Sequence, residues 1–283
     1  MEWINQLTFL ERGIIAGIVI GFLCPLLGAF LLVRRITIVS EALSHITLTG
    51  ITAGVLMAQT LVWLPQQNPM YVGLLFSLIG SLFVEKLREL YKNFQELAIP
   101  IILSSGVGLS AILISLAKSS YTEWYNYLFG SIVTVMKEDL LFIVATGLVA
   151  FGLLFAFYKE LLSISFDAEF AKVSGISVKK LNILFAVLIA LVISMSMKVV
   201  GILLVGAMVT LPIAASIQLA KSFRQVIGLG ILFGELSVLG GVAFSYHFGV
   251  ATGGMIIIVG IILLIISVLI KKVFVQRSRF FSV

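Results

Sequence analysis

Long apolar runs recur along the whole chain and are separated by short polar stretches. Runs close to twenty residues long are typical of helices that cross a membrane. The pattern predicts eight to nine spans, at residues 12–33, 36–62, 70–84, 97–117, 140–158, 181–197, 199–220, 226–246 and 254–270. Only Lys198 separates the sixth span from the seventh, so one of these two is predicted to be a partial or re-entrant helix.

Composition supports the same class of protein. Of the 283 residues, 60% are hydrophobic and only 11% are charged, whereas a soluble domain has about 25% charged residues. No polar stretch is long enough for a separate soluble domain. We therefore expect an all-α integral membrane protein whose single transmembrane domain covers residues 1–283. The first thirteen residues lack the pattern of a cleavable signal peptide.

Basic residues predict the orientation, because loops rich in Lys and Arg lie in the cytoplasm. The basic segments are residues 34–35, 85–96, 159–180, 221–225 and 271–279. They alternate with segments predicted to lie outside, at residues 65–69, 118–131 and 247–254. This places the C-terminus in the cytoplasm and the N-terminus outside. The net charge of +6 is explained by these loops, so no nucleic-acid partner is predicted.

Four ionisable residues interrupt the apolar spans: Glu41, His45, Lys198 and Glu235. A charge at the centre of a bilayer costs about 3 kcal/mol, so such residues are rare and usually functional. Lys198 lies at the end of a span, where its long side chain can reach water. Glu235 lies near the middle of its span. It is predicted either to line a transport pathway or to form a hydrogen bond between helices.

Glu41 and His45 are one helical turn apart and therefore share a helix face. Ser44, Thr49 and Thr52 continue this polar stripe, which predicts that it faces a lumen or the protein interior. If the helix begins near residue 36, His45 lies about 15 Å above Arg35, halfway through a hydrocarbon core of about 30 Å.

A carboxylate and an imidazole one turn apart can reach the same cation. This ligand pair suits zinc, manganese or iron(II) better than magnesium or calcium. Two ligands are too few for tight binding, but two copies of the helix around a two-fold axis would supply four. The alternative is that the two side chains pair only with each other or with neighbouring helices.

The sequence lacks the motifs that are characteristic of two other classes of protein. An intramembrane metalloenzyme would carry H-E-x-x-H, and an ATPase would carry G-x-x-x-x-G-K-[ST]; neither occurs in the sequence. We therefore expect a protein that is not an enzyme and that needs no bound cofactor. The single cysteine, Cys24, lies in an apolar run and is interpreted as a packing residue.

Four stretches resemble the permease subunits of ABC transporters that import zinc, manganese or iron. They are LLVRRITIVSEALSHITLTGITAG (31–54), YNYLFGSIVTVMKEDL (125–140), SFDAEFAKVSGISVKKLN (165–182) and MKVVGILLVGAMVTLPIAASIQLA (197–220). The resemblance implies the fold of a type II ABC importer permease. It also implies import of a divalent transition metal, zinc or manganese. The alternative within this architecture is a permease for a siderophore or a vitamin.

The same resemblance implies roles for individual residues. His45 matches the metal-contacting histidine of that family, and Glu41 occupies the place of its aspartate with a side chain one methylene longer. The family often carries an acid in the loop before the last span, where this chain has Gly249 with His247 nearby. Glu235 is therefore predicted to supply the missing carboxylate as a third metal-binding residue.

Partners follow from the resemblance as well. Such permeases form homodimers in the prokaryotic plasma membrane, bind a cytoplasmic ABC ATPase dimer, and receive metal from an extracellular solute-binding protein. The cytoplasmic coupling region is predicted at about 211–225, supported by residues 159–180.

Overall fold

The computed structural model describes residues 7–60, 68–91, 94–117 and 121–280, and the regular structure in these ranges is helical. A short 3-10 turn at Gln95–Leu97 is joined directly to the fourth α-helix. The α-helices are α1 (Phe9–Val33), α2 (Ile38–Thr60), α3 (Pro69–Leu90), α4 (Ala98–Leu116), α5 (Tyr121–Phe129), α6 (Lys137–Ala156), α7 (Tyr158–Phe166), α8 (Ala168–Val173), α9 (Val178–Val200), α10 (Ile202–Leu219), α11 (Phe223–Phe248) and α12 (Thr252–Phe280).

Within the described residues, nine of these helices are long and apolar enough to cross a membrane: α1 to α4, α6 and α9 to α12. This agrees with the upper end of the predicted count. The third span is longer than predicted and continues to Leu90, because Glu85 and Arg88 pair with each other at 3.1 Å and do not end the helix. Most of the predicted outer loop at 65–69 lies outside the described residues.

The prediction that the sixth or seventh span is partial or re-entrant is wrong. Lys198 lies inside α9, which runs on to Val200, and α10 begins at Ile202. The chain turns at Gly201, whose φ of +89° favours glycine. The polar residue therefore marks no boundary, and the conformational freedom of one glycine makes the turn.

Three glycines allow close backbone contact where α9 ends and α10 and α12 begin, at the side of the membrane predicted to be outside. A side chain on Gly201 would overlap the backbone of residues 128–130, and one on Gly130 would overlap the backbone between Val199 and Gly201. A side chain on Gly253 would overlap the carbonyl groups of Val200 and Phe129. The segment before α6, the α9–α10 turn and the start of α12 are thus packed backbone to backbone.

The core lies on the central helices α1, α2 and α9, whereas α4 and α12 expose most of their side chains. Cys24 is fully buried on α1, and its Sγ lies 3.2 Å from the Ser196 hydroxyl. This burial agrees with its interpretation as a packing residue. Outside the spans, the segment 118–131, predicted to lie outside, contains α5, and the segment 159–180, predicted to lie in the cytoplasm, contains α7 and α8.

Candidate metal-binding site

The turn between α1 and α2 determines where the candidate metal ligands lie. Its backbone forms the two hydrogen bonds of a Schellman motif, from the Arg35 N–H to the Leu32 carbonyl (2.9 Å) and from the Ile36 N–H to the Leu31 carbonyl (3.0 Å). Arg35 has a φ of +56°, a conformation in which a non-glycine residue costs about 1 kcal/mol. The turn delays the start of α2 to Ile38, two residues later than predicted.

Arg34 ties this turn to two other elements. Its Nε donates a hydrogen bond to the Ser165 hydroxyl at 3.0 Å, and its Nη1 donates one to Asn182 Oδ1 at 3.2 Å. Its guanidinium carbon also lies 4.2 Å from the centre of the Phe185 ring. Arg34 therefore positions the start of α2 against α7 and α9. From the sequence, Arg34 was predicted only to mark the cytoplasmic side of the membrane. Its contacts with Ser165 and Asn182 could not be predicted, because these residues are more than 100 positions away along the chain.

Glu41 and His45 face each other across one turn of α2, as predicted. His45 Nε2 lies 3.8 Å from Glu41 Oε1, and the side chains are 13% and 39% exposed, respectively. This distance is too long for a direct hydrogen bond. Zinc binds nitrogen and oxygen ligands at about 2.0 to 2.2 Å in a tetrahedral arrangement, so two ligand atoms of one ion lie about 3.4 Å apart. The gap between Glu41 and His45 is slightly wider, and a small rotation of either side chain would let one ion bind both groups.

The hydroxyls of the predicted polar stripe face protein. Ser44 donates a hydrogen bond to the Ser40 carbonyl (2.8 Å), and the Thr49 Oγ1 lies within hydrogen-bonding distance of both the His45 carbonyl (3.1 Å) and the Gly106 carbonyl on α4 (3.0 Å). Both hydroxyl-bearing residues are buried. The stripe therefore lies in the protein interior, and Thr49 fixes α2 to α4 one turn beyond the candidate ligands.

Two glycines on neighbouring helices give the depth of the pair. Gly106 on α4 faces the backbone of His45, and Gly206 on α10 faces the carboxylate of Glu41. At 1.5 Å per residue, Gly106 lies about 12 Å from the start of α4, and Gly206 lies about 20 Å from the last residue of α10. Glu41 and His45 therefore lie beside the membrane-spanning parts of α4 and α10, although Glu41 belongs to the first turn of α2.

Glu235 is not brought together with this pair. It lies at the midpoint of α11, where its carboxyl atoms would be 3.2 to 3.3 Å from a side chain added to Gly21 of α1. Helix α11 packs on α1, α10 and α12 and makes no extensive contact with α2. A shared site for Glu41, His45 and Glu235 within one chain is thus not seen, and the role of Glu235 stays a prediction.

Lys198 corrects another expectation, because it does not extend to water. Its ammonium lies 3.2 Å from Asp139 Oδ2 and 5.3 Å from the centre of the Tyr127 ring. Asp139 is 1% exposed and also accepts hydrogen bonds from Asn68 Nδ2 (2.8 Å) and the Met136 N–H (2.9 Å). The sequence offered one sign of this pairing: Asp139 and Lys198 each lie at the end of a predicted span, on the side predicted to be outside.

A single copy of the chain supplies few metal ligands. Across the ranges that the structure describes, no group of three or more His, Cys, Asp or Glu side chains is placed to hold one ion. Glu41 and His45 thus offer one oxygen and one nitrogen ligand. A third His, Cys, Asp or Glu ligand for an ion at this position is thus not offered by the described part of one chain, and a second copy of the chain could supply it.

In the part of the chain that the structure describes, nine helices long and apolar enough to cross a membrane define a multi-pass membrane protein. An ionisable pair within such a bundle is typical of a transport protein. Residues 6–271 match the model of the ABC 3 transport family. The chain belongs to this family. It is therefore a membrane component of a transporter and not an enzyme.

Relatives and a solved structure agree with this family over nearly the whole chain. The manganese transport system membrane protein MntC of Listeria monocytogenes is 30% identical over 95% of this chain and 93% of its own length. The high-affinity zinc uptake system membrane protein ZnuB of Haemophilus influenzae is 27% identical over 90% and 94%, respectively. A chain of PsaBC from Streptococcus pneumoniae, solved in complex with Fab, is 29% identical with a TM-score of 0.80, covering 94% of this chain and 93% of its own.

Proposed function

We propose that this chain is the permease subunit of an importer that moves manganese or zinc ions into the cytoplasm across a prokaryotic plasma membrane. The observation that carries the proposal is the 3.8 Å separation of Glu41 and His45 within the spanning length of α4 and α10. A carboxylate lowers the cost of moving a divalent cation through a medium of low dielectric constant. A small set of ligands binds the ion weakly enough for it to be released.

The ligand types support a transition metal as the cargo. Imidazole nitrogen suits zinc and other transition metals, and carboxylate oxygen suits manganese. The similarity to proteins named for manganese and for zinc transport points to the same two ions. Magnesium and calcium prefer oxygen ligands alone, so His45 argues against them.

We infer that the functional unit contains two copies of the chain. Glu41 is 39% exposed in a single copy, and a carboxylate within the bilayer is costly unless protein or water covers it. A second copy related by a two-fold axis would cover this side chain. It would also raise the number of protein ligands from two to four, the number that zinc sites usually have.

The proposed importer also needs a cytoplasmic ATPase dimer and an extracellular metal-binding protein, as in the transporter family to which the chain belongs. Most of the predicted coupling region 211–225 is spanning helix, and only residues 220–222 form the turn between α10 and α11. The supporting segment 159–180 has the larger free surface, on which Phe166, Phe170 and Val173 are 62%, 65% and 88% exposed. We propose that the ATPase contacts both segments, with α8 providing most of the contact.

The transport proposal is tested by uptake of radiolabelled manganese and zinc into cells that express the complete transporter. His45→Ala and Glu41→Gln are expected to abolish accumulation of the transported ion at normal expression. The matched control is Glu89→Gln, which removes an exposed carboxylate that pairs with Lys179 at the surface. Normal uptake by the His45 and Glu41 variants would show that the pair is structural.

The coupling proposal is tested by cysteine cross-linking to the ATPase. Cys24 is fully buried, so an introduced cysteine supplies the reactive thiol. Val173→Cys is expected to form a cross-link with a cysteine on the ATPase surface. Phe248→Cys, which is 64% exposed at the outer end of α11, is the control that forms none. Failure of every position in 159–180 and 220–222 to cross-link would contradict the proposal.

A further inference from the structure

Gly206 has no conformational reason to be glycine. It is buried in α10, one turn after the first residue of the helix, and its φ is negative. Glycine inside a helix costs about 1 kcal/mol relative to alanine. The absence of a side chain at this position must therefore serve the packing around it.

The neighbours of Gly206 show what needs the space. A Cβ at this position would overlap Glu41 Oε2, and the next atoms would be Glu41 Cδ at 3.6 Å and the Ser40 hydroxyl at 3.7 Å. All three belong to side chains in the first turn of α2. Gly28 and Gly234 differ, because their nearest neighbour is a backbone carbonyl oxygen, of Val209 and Gly21 respectively. Those two glycines permit helix contact, whereas Gly206 makes room for a carboxylate.

We propose that Gly206 is a positioning residue for the metal site, because it forms the recess that holds Glu41 Oε2. With one carboxylate oxygen in this recess, the other, Oε1, faces His45 at 3.8 Å. An alanine at position 206 would force the carboxylate to rotate or withdraw, and Oε1 would leave its place opposite the imidazole. This inference rests on the proposed function, since it assigns a role within the same site.

The length of the Glu41 side chain provides the test. A Glu41→Asp substitution shortens the side chain by one methylene, so its carboxylate no longer fills the recess beside α10. An added methyl group at position 206 should therefore harm the site only when the longer side chain is present. Side chains in contact show this kind of non-additive effect, with coupling of about 0.5 to 3 kcal/mol.

The experiment is equilibrium binding of manganese or zinc ions to the purified complete transporter without ATP. Gly206→Ala is expected to weaken binding about tenfold, within the range of coupling between contacting side chains. In the Glu41→Asp background, the same change is expected to have less than about a twofold further effect. The matched control is Gly17→Ala, a buried helical glycine whose Cβ would meet only Val238 Cγ1 at 2.7 Å, and which should act equally in both backgrounds.

Each outcome decides the question. Unchanged binding by Gly206→Ala, or an equal loss in both backgrounds, would overturn the proposal and make Gly206 a packing residue. If Gly206→Ala does not assemble, recovery of folded transporter in the Glu41→Asp background supports the recess, and no recovery overturns it. Normal metal binding by His45→Ala would contradict the proposed function, and this result is independent of the coupling between positions 41 and 206.

Discussion

The Lys198 ammonium lies 3.2 Å from the buried Asp139 carboxylate and joins α9 to the start of α6. The same carboxylate accepts a hydrogen bond from Asn68, the residue that caps α3. One acidic side chain thus connects the outer ends of three spanning helices. Removing one partner of a buried ion pair leaves the other charge uncompensated, which is more costly than never having the pair.

Lys198→Met is therefore expected to lower the free energy of unfolding by about 3 kcal/mol or more. The double variant Lys198→Met with Asp139→Asn should recover part of this loss, because no unpaired charge then remains. The midpoint of thermal unfolding of the purified protein in detergent measures both. The control is Lys179→Met, since Lys179 is 73% exposed and pairs with Glu89 at the surface, where a pair contributes less than about 1 kcal/mol. Equal effects of the two lysine variants would contradict this account of the outer ion pair.

Thr49 is expected to stabilise the contact between α2 and α4 through its hydroxyl. Thr49→Val keeps the shape of the side chain but leaves the Gly106 carbonyl without this donor. The expected loss is about 1 kcal/mol, measured again by thermal unfolding. Thr60→Val provides the comparison, because the Thr60 hydroxyl bonds only to carbonyls of its own helix and is exposed. A loss no larger than that of Thr60→Val would show that the interhelical bond contributes nothing.

Arg35→Gly is expected to stabilise the protein by about 1 kcal/mol, because glycine adopts a φ of +56° without steric cost. The reverse change is available at Gly249, which has a φ of +65° and no atom near its missing side chain. Gly249→Ala should destabilise by a similar amount. Thermal unfolding of both variants measures the two effects. Destabilisation by Arg35→Gly would mean that the arginine side chain makes a contribution larger than the backbone strain.

Glu235→Gln is expected to reduce metal uptake. Among the described residues, no ion pair or hydrogen bond holds this carboxylate, although it lies at the midpoint of a spanning helix. An uncompensated acid in that position costs about 3 kcal/mol, and such residues usually mark a transport route. Uptake by the complete transporter measures the effect, with Ser237→Ala on the same helix as the control. Unchanged uptake by Glu235→Gln would remove Glu235 from the pathway.

The spans and the candidate pair could be predicted from the sequence because both depend on local patterns. Apolar runs are read directly, and Glu41 and His45 are only one helical turn apart. The predicted boundary between α9 and α10 was wrong, because Lys198 interrupts the apolar run without ending the helix. The charge of Lys198 is accommodated inside α9 by Asp139, which belongs to a different span.

Contacts between distant segments account for the rest. Glu41 and Gly206 belong to α2 and α10, and no local pattern connects them. Arg34 likewise contacts Ser165 and Asn182 because α7 and α9 pack beside the turn between α1 and α2. The importance of these residues follows from their tertiary neighbours, which sequence periodicity does not reveal.

Placing both candidate ligands one turn apart on α2 has a consequence for release of the ion. The hydrogen bonds of a single helix fix the spacing of the Glu41 and His45 backbones, so movement of one helix relative to another can part the two groups only by turning a side chain. The carboxylate of Glu41 is open to such a change, because its other oxygen lies against Gly206 of α10. If an ion binds this pair as proposed, its release would therefore require either a rotation of the Glu41 side chain or the withdrawal of ligands from outside α2.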